Sequence, residues 1–275
     1  MAREVLTVLG VGGMGHAIAR RLGAGKTVLL ADNNAATLTS VANTLSADGH
    51  QVDSREVDVS SPESVRALAE HAASLGTVTQ VAHTAGLSPS QASAEAILAV
   101  DLLGTALVLQ EFGEVIAEGG AGVVVASMAG HVFPPLTAEQ ERALAQTPAQ
   151  ELLGLDFVSA QRSSHPGIAY GIAKQANHIR VRAASAQWGR RGGRINSISP
   201  GIISTPMGQQ ELASPVGDGM RAMVAASATG RLGTPDDIAS ATAFLLGPDA
   251  SFITGTDLLV DGGATAAMKP RSPTT

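Results

Sequence analysis

The chain has 275 residues, a formal net charge of −6, no cysteine, one tyrosine, and three lysines against fifteen arginines. The absence of cysteine excludes disulfides, thiolate metal sites and cysteine nucleophiles, and an acidic balance with no basic stripe argues against a nucleic-acid surface. With 44% apolar and 15% charged residues, the composition is that of a globular protein with ample material for a core; no targeting segment and no run of about 18 apolar residues suggests a membrane, so the cytoplasm is the expected location.

Residues 5–9 form a short apolar run, the pattern of a strand buried on both faces. The turn Gly10-Val11-Gly12-Gly13-Met14-Gly15 follows, then a helix over about 16–22 and a strand over 27–31 that ends at Asp32. Glycines in such a turn let the backbone approach a pyrophosphate, and the helix N-terminus offers free N–H groups and a positive dipole end. Asp32 stands where a carboxylate accepts hydrogen bonds from adenosine ribose hydroxyls and repels a 2′-phosphate. No lysine or arginine beside it attracts that phosphate, so NAD is expected over NADP. The structural alternative is that Asp32 only caps the next helix.

The alternation continues. Residues 51–57 predict a strand running into Asp58-Val59, and Ser61-Pro62-Glu63 opens a helix with cap and proline in place. Residues 78–83 predict a strand ending at Thr84-Ala85-Gly86. A long helix over about 92–117 leads to a strand over 122–126, followed by Ser127. A helix carrying Tyr170 and Lys174 runs to about Trp188, before a strand over 194–197 and the segment Ser199-Pro200-Gly201. Thr234-Pro235-Asp236 opens another helix, and 257–260 predict the last strand. About seven strands alternating with helices predict one α/β domain over 1–263, a doubly wound parallel sheet, with 264–275 as a loose tail.

Tyr170 and Lys174 lie one helical turn apart, so hydroxyl and ammonium share a face. Bringing a tyrosine pKa from about 10 to near 7 takes about 4 kcal/mol. A cation about 4 Å away supplies that much at an effective dielectric near 20. The pair is therefore expected to pass a proton in an alcohol/carbonyl interconversion.

In this order the motifs resemble the short-chain dehydrogenase/reductase family across residues 4–263. Gly10, Gly13 and Gly15 resemble its glycine turn, shorter by one residue and with Leu9 in place of a leading threonine. Asp58-Val59 resembles the adenine-contacting pair. His83-Thr84-Ala85-Gly86 resembles the Asn-Asn-Ala-Gly segment under the cofactor, keeping Ala85 and Gly86. Ser127 with Ala129-Gly130 resembles the catalytic serine segment, and Pro200-Gly201-Ile202-Ile203-Ser204-Thr205 the nicotinamide-carboxamide segment. The resemblance implies a Rossmann-type fold with Gly10, Gly12, Gly13, Met14, Gly15, Asp32, Asp58, Val59, Ala85, Gly86, Pro200, Gly201, Ile203 and Thr205 around a nicotinamide dinucleotide. It implies Ser127 on the substrate oxygen, Tyr170 as acid/base, Lys174 on the nicotinamide ribose, a small-molecule substrate and a homo-oligomer, dimer or tetramer.

Two departures stand out. Asp101-Leu102-Leu103-Gly104-Thr105 carries an acid where the family has asparagine. An asparagine acting through its backbone carbonyl is replaceable by aspartate, whereas one acting through its side chain gives an acid that pairs with Lys174. Ser127 and Tyr170 are also 43 positions apart, longer than the family pattern, which places an insertion over 131–166. Cap-like starts at Thr137 and Thr147 predict short helices over 138–146 and 148–154. A lid lined by Val132, Phe133, Leu152, Leu153, Leu155 and Phe157 is expected, and with it a hydrophobic substrate. His83, His131 and His165 lack ligand spacing, so no metal is expected. The overall expectation is an NAD(H)-dependent oxidoreductase of a secondary alcohol or ketone. The alternatives are a 3-oxoacyl-carrier-protein-type reductase using NADP(H) and a silent NAD-binding regulator.

Overall fold

A computed structural model describes residues 3–268. Strand β1 (Glu4–Leu9) feeds α1 (Gly13–Leu22), then β2 (Thr27–Asp32), α2 (Ala35–Ala47), β3 (Gln51–Glu56), α3 (Pro62–Leu75) and β4 (Thr77–His83). There follow α4 (Ala94–Ile97), a π-helical segment (Leu98–Gly104), α5 (Thr105–Val115), β5 (Ala121–Val125), α6 (Ala129–Val132), α7 (Ala138–Gln146), a 3-10 turn (Ala149–Gly154) and α8 (Asp156–Ser159). The chain closes with α9 (Pro166–Arg190), β6 (Arg194–Pro200), α10 (Pro206–Leu212), α11 (Gly217–Ala226), α12 (Pro235–Leu246), a second 3-10 turn (Pro248–Ala250), β7 (Asp257–Val260) and α13 (Ala264–Met268).

All strand pairings are parallel, in the order β3-β2-β1-β4-β5-β6-β7. The strands are apolar because both faces are covered. On β1, Val5 and Leu9 join one buried cluster with Val65, Phe112 and Trp188, while Leu6 and Val8 join the other with Ile18, Leu38 and Ala239. Strand order reverses between β1 and β4, and in an open parallel sheet ligands bind outside the strand C-termini at that switch point. Gly10 and Thr84 flank it.

Three expectations change. The long helix predicted over 92–117 is not uniform: it widens into π geometry over Leu98–Gly104. Such segments are frequent at functional sites, and this one carries Asp101, which is fully buried. The predicted tail begins as α13, anchored by the Thr265 N–H donating to Asp261 Oδ2 at 2.7 Å; its remainder lies outside the described residues.

The third change concerns residues 131–166. Thr137 forms the expected capping box with Gln140. The segment is packed into the main core: Leu144, Ala149, Leu152 and Val158 are completely buried there, with Leu153, Leu155 and Phe157 against them. Arg180 on α9 donates to the Leu144 and Thr147 carbonyls, and Gln175 to those of Phe133 and Pro134. Leu152 therefore lines no open pocket, and Val132 is 44% exposed.

Candidate active site

The cleft begins where β1 ends. Gly10 has φ 86°, and a Cβ there would sit 2.4 Å from the Ala85 nitrogen. The turn thus lies directly on the segment after β4, and Thr84 Oγ1 donates to the Gly10 carbonyl at 2.5 Å. Gly12 begins α1 with no side-chain cap and no acidic residue in the first turn, which leaves first-turn N–H groups free for an anion. A Cβ on Gly12 would meet nothing within 4 Å, whereas one on Gly13 would meet Thr205 Cγ2 at 2.9 Å. Thr205, which caps α10, is thereby set beside the glycine turn.

A cleft of about 380 Å³ runs along these residues, lined by Gly10, Gly12, Asp32, Asp58, Val59 and Gly86 among others. Asp32 Oδ2 accepts from the Val11 N–H at 2.8 Å and Oδ1 from the Asn34 N–H at 2.9 Å. Each oxygen keeps a lone pair for a further donor. The next helix is capped by Asn34, not Asp32. Asp58 Oδ1 is held by the Ser60 backbone and hydroxyl. An open helix start, a glycine floor and a carboxylate at the far end fit a dinucleotide. Met14 packs into a core cluster with Ile203. Pro200 ends β6 and accepts from the Met128 N–H, and Gly201 donates to the Val260 carbonyl.

The second half of the site is made of side chains. Ser127 follows β5, and its Oγ accepts from the Ala129 N–H at 3.1 Å. Tyr170 and Lys174 project from α9, with Lys174 Nζ 5.3 Å from the Tyr170 ring centroid. Lys174 Nζ also lies 3.0 Å from Asp101 Oδ2, and both side chains are all but inaccessible. Asp101 Oδ1 accepts from the Leu87 N–H at 2.8 Å. Gly86 covers this pair: a Cβ there would come within 3.4 Å of both Lys174 Nζ and Asp101 Oδ2.

The Asp101 backbone carbonyl is already engaged. It accepts from Thr105 Oγ1 at 2.8 Å and, with the Asn177 amide turned so that its nitrogen faces acceptors, from Asn177 at 2.8 Å. Of the two roles open in the sequence, the side-chain pairing with Lys174 is the one this geometry provides.

The charges do not shift as the tyrosine–lysine spacing alone suggested. Burial is the largest influence on Tyr170 and pushes its pKa above the ordinary phenol value. Lys174 and the Ser127 hydrogen bond pull it down, while Asp101 and Glu211 push it further up, and the net direction is upward. The expected drop toward neutrality is absent because burial outweighs the pull of Lys174, and Asp101 offsets part of that pull. Burial also acts first on the pair itself, disfavouring both charges, and it raises Asp101. Lys174 still ends above its ordinary value because Asp101 and Tyr170 outweigh its burial. The short contact and the Leu87 N–H favour the ionised pair. His83 is held down to about 3 by burial, then by Lys174, and is therefore neutral. Because Thr105 Oγ1 donates to the Asp101 carbonyl, His83 Nε2–H donates to Thr105 Oγ1 at 3.2 Å.

Sequence reasoning missed Glu211, whose carboxyl on α10 is raised by burial and acts on Tyr170. It also missed a meeting of His131 with His178 and Asp257. No local spacing signals either. His165, in contrast, caps α9 through its Nδ1.

Comparison with known proteins bears on both halves. The family model described as short chain dehydrogenase matches residues 4–138, and that described as Enoyl-(Acyl carrier protein) reductase matches residues 135–265. The chain is 43% identical to the short-chain dehydrogenase/reductase bsc3 of Alternaria brassicicola, over 98% of each protein. It is 31% identical to the D-threitol dehydrogenase of Mycolicibacterium smegmatis, over 92% of this chain and 89% of that one. A short-chain dehydrogenase/reductase structure from Serratia marcescens superposes with a TM-score of 0.74 at 22% identity, over 96% of this chain and 98% of that one, and shares its fold. A switch-point cleft joined to these relatives defines an oxidoreductase of CH–OH groups that binds a nicotinamide cofactor. The chain belongs to the short-chain dehydrogenase/reductase family.

Proposed function

We propose that the protein interconverts a ketone and a secondary alcohol with NAD(H), Tyr170 serving as the acid and base. The observation that carries this reading is the meeting of Ser127, Tyr170 and Lys174 at the Gly86 end of the dinucleotide cleft. The nicotinamide supplies or accepts the hydride. The rest falls to the chain's own groups: Ser127 Oγ hydrogen-bonds the substrate oxygen, and the Tyr170 hydroxyl gives that oxygen a proton as it gains charge. Lys174 would hold the nicotinamide ribose and stabilise the phenolate left behind.

The upward shift of Tyr170 keeps it protonated at neutral pH, which suits reduction of the ketone. Alcohol oxidation needs the phenolate and rises with pH. The test is NADH oxidation across a ketone panel. Tyr170→Phe is expected to lower kcat about 10²–10⁴-fold with NADH affinity unchanged. Activity that survives the substitution removes Tyr170 from the acid/base role.

NAD is favoured because Asp32 has a free lone pair on each oxygen at the ribose end of the cleft. Asp32→Ala should narrow the ratio of NADP to NAD dissociation constants by at least about tenfold, since it removes a charge that repels the 2′-phosphate. An unchanged ratio favours the NADP-dependent carrier-protein reductase reading instead. The hydrophobic-substrate reading keeps Phe133, whose ring lies against Gly171 beside Tyr170, but loses Leu152 to the core.

Residues 131–166, read as an insertion relative to the family, serve as a fixed wall. Swinging it out would expose Leu144, Leu152 and Val158, each worth about 1.5–3 kcal/mol of burial. Proteolysis rates within 131–166 should therefore be equal with and without cofactor; protection by cofactor restores the lid. A homo-oligomer is part of this reading.

A further inference from the structure

Three side chains distant in sequence meet beside the proposed active site. His131 lies in α6, four residues after Ser127; His178 lies on α9, four residues after Lys174; Asp257 opens β7. His131 Nε2 lies 2.7 Å from Asp257 Oδ2, and His178 Nε2 lies 3.4 Å from Oδ1 of the same carboxylate. The imidazole centroids are 4.7 Å apart, and one ligand atom from each residue falls within 4.8 Å of the others. None of the three takes part in the proton transfer assigned to Tyr170.

We infer that His131, His178 and Asp257 form a binding site for a divalent cation of the zinc class. The inference goes beyond the oxidoreductase reading and does not depend on it. Two imidazole nitrogens and a carboxylate oxygen are the donor set zinc takes, at about 2.0–2.2 Å. Donors around a tetrahedral ion with such bonds stand about 3.3–3.5 Å apart. The 3.4 Å separation of His178 from Oδ1 matches that span; the 2.7 Å contact of His131 is to the other oxygen, Oδ2, and opens to it by less than about 1 Å as the His131 and Asp257 side chains rotate.

The surroundings resemble those of a metal site. Ser197 Oγ donates to Asp257 Oδ1 at 2.6 Å, fixing the carboxylate from behind as outer-shell partners do. Ser199 Oγ shares a hydrogen bond with His178 Nε2 at 2.8 Å and stands next to the ion's position. Access is open on one side: the His131 side chain is 30% exposed while Asp257 is 11% exposed. As the ion binds at Nε2, the proton of a neutral ring moves to Nδ1, which frees the Nε2 lone pair for the ion. An ion here would tie α6, which follows Ser127, to the Tyr170 helix and to edge strand β7.

The test uses the full chain, stripped with chelator and titrated with Zn²⁺ alone by calorimetry, then with Co²⁺ alone by visible absorption. One Zn²⁺ per chain is expected, with Co²⁺ bands of tetrahedral intensity and a thermal midpoint that rises with Zn²⁺. Replacing an outer-shell partner weakens metal binding about 10–100-fold, so Ser197→Ala should fall in that range. His131→Ala, at an exposed position that leaves the fold intact, should weaken it at least as much and abolish the Co²⁺ bands. Absence of stoichiometric Zn²⁺ binding overturns the inference and leaves a hydrogen-bonded knot. Binding that survives His131→Ala unchanged overturns it too, by placing the ion elsewhere.

Discussion

The two halves of the cleft are built from different materials. On the β1–α1–β2 side the cleft is largely backbone: a glycine turn and a helix start that no side chain caps. By contrast, α2, α3, α7, α10 and α12 each begin on an Asn, Ser or Thr whose side chain accepts from the first turn, while α5, α6, α8 and α11 share the uncapped start. On the β4–β5–α9 side the site is buried charge, with Lys174 and Asp101 stacked under Gly86. Backbone donors keep their polarity whatever surrounds them. Buried side-chain charges hold theirs only through their partners, so the second half is the more fragile to single changes.

The largest expected effect follows from that fragility. Asp101→Ala leaves the Lys174 ammonium buried without its partner, which costs about 3–5 kcal/mol of stability. Urea denaturation measures it. The double replacement Asp101→Leu with Lys174→Met should recover most of that loss while activity stays abolished, because a buried ion pair contributes little net stability. If the double variant is as unstable as the single one, the pair is holding the fold together and this contrast with the glycine half is wrong.

The backbone half predicts the opposite pattern. Gly12→Val places atoms where nothing lies within 4 Å, so the thermal midpoint should stay while cofactor binding weakens. A loss of about 10–100-fold, or about 1.4–2.8 kcal/mol, would show in a fluorescence titration with NADH. Gly10→Ala should instead disturb the fold, because its φ is 86° and its Cβ would overlap Ala85.

This division also explains what was legible in the sequence. The alternation of elements, the glycine turn and Asp32 are local patterns, and the parallel seven-stranded sheet follows from them. Tyr170 and Lys174 share one helix face, so their spacing was readable as well. What could not be read is what meets across elements. The sequence offered the Asp101–Lys174 pairing as one of two roles and could not choose between them; the contact is made from a π-helical segment that no periodicity signals. The direction of the Tyr170 shift depends on burial and on Asp101 and Glu211, which lie on other elements. The apolar residues of 131–166 read as a pocket lining because alternation cannot say which surface a helix covers; Leu144 and Leu152 cover the core.

His83 gives a smaller effect with a defined sign. Its pKa is about 3 in the folded chain against about 6.5 unfolded. Below pH 6.5 the unfolded state binds the proton and the folded state does not, so stability is full above that pH and falls as pH drops toward 3. The slope reaches about 1.4 kcal/mol per pH unit. His83→Asn should flatten this part of the acid limb in pH-dependent urea melts; an unchanged slope would mean that other groups carry it.

The finest test separates charge from geometry at one atom. In Asp101→Asn the side-chain oxygen can still accept from the Leu87 N–H, and the backbone carbonyl keeps Thr105 Oγ1. Only the negative charge goes. Among the influences on Tyr170, burial and Asp101 push upward and Lys174 pulls downward; removing Asp101's charge leaves Lys174 opposed by burial and Glu211 alone. The Tyr170 pKa must then move down. Alcohol oxidation, which needs the phenolate, should reach its plateau at lower pH than in the parent, and ketone reduction should begin to fail at lower pH as well. A profile of kcat/KM against pH for both directions reads this out. Parallel downward displacement of the two limbs is the signature of a charge acting on Tyr170, whereas a uniform drop in rate at every pH would make Asp101 a positioning group for Lys174 with no hold on the proton.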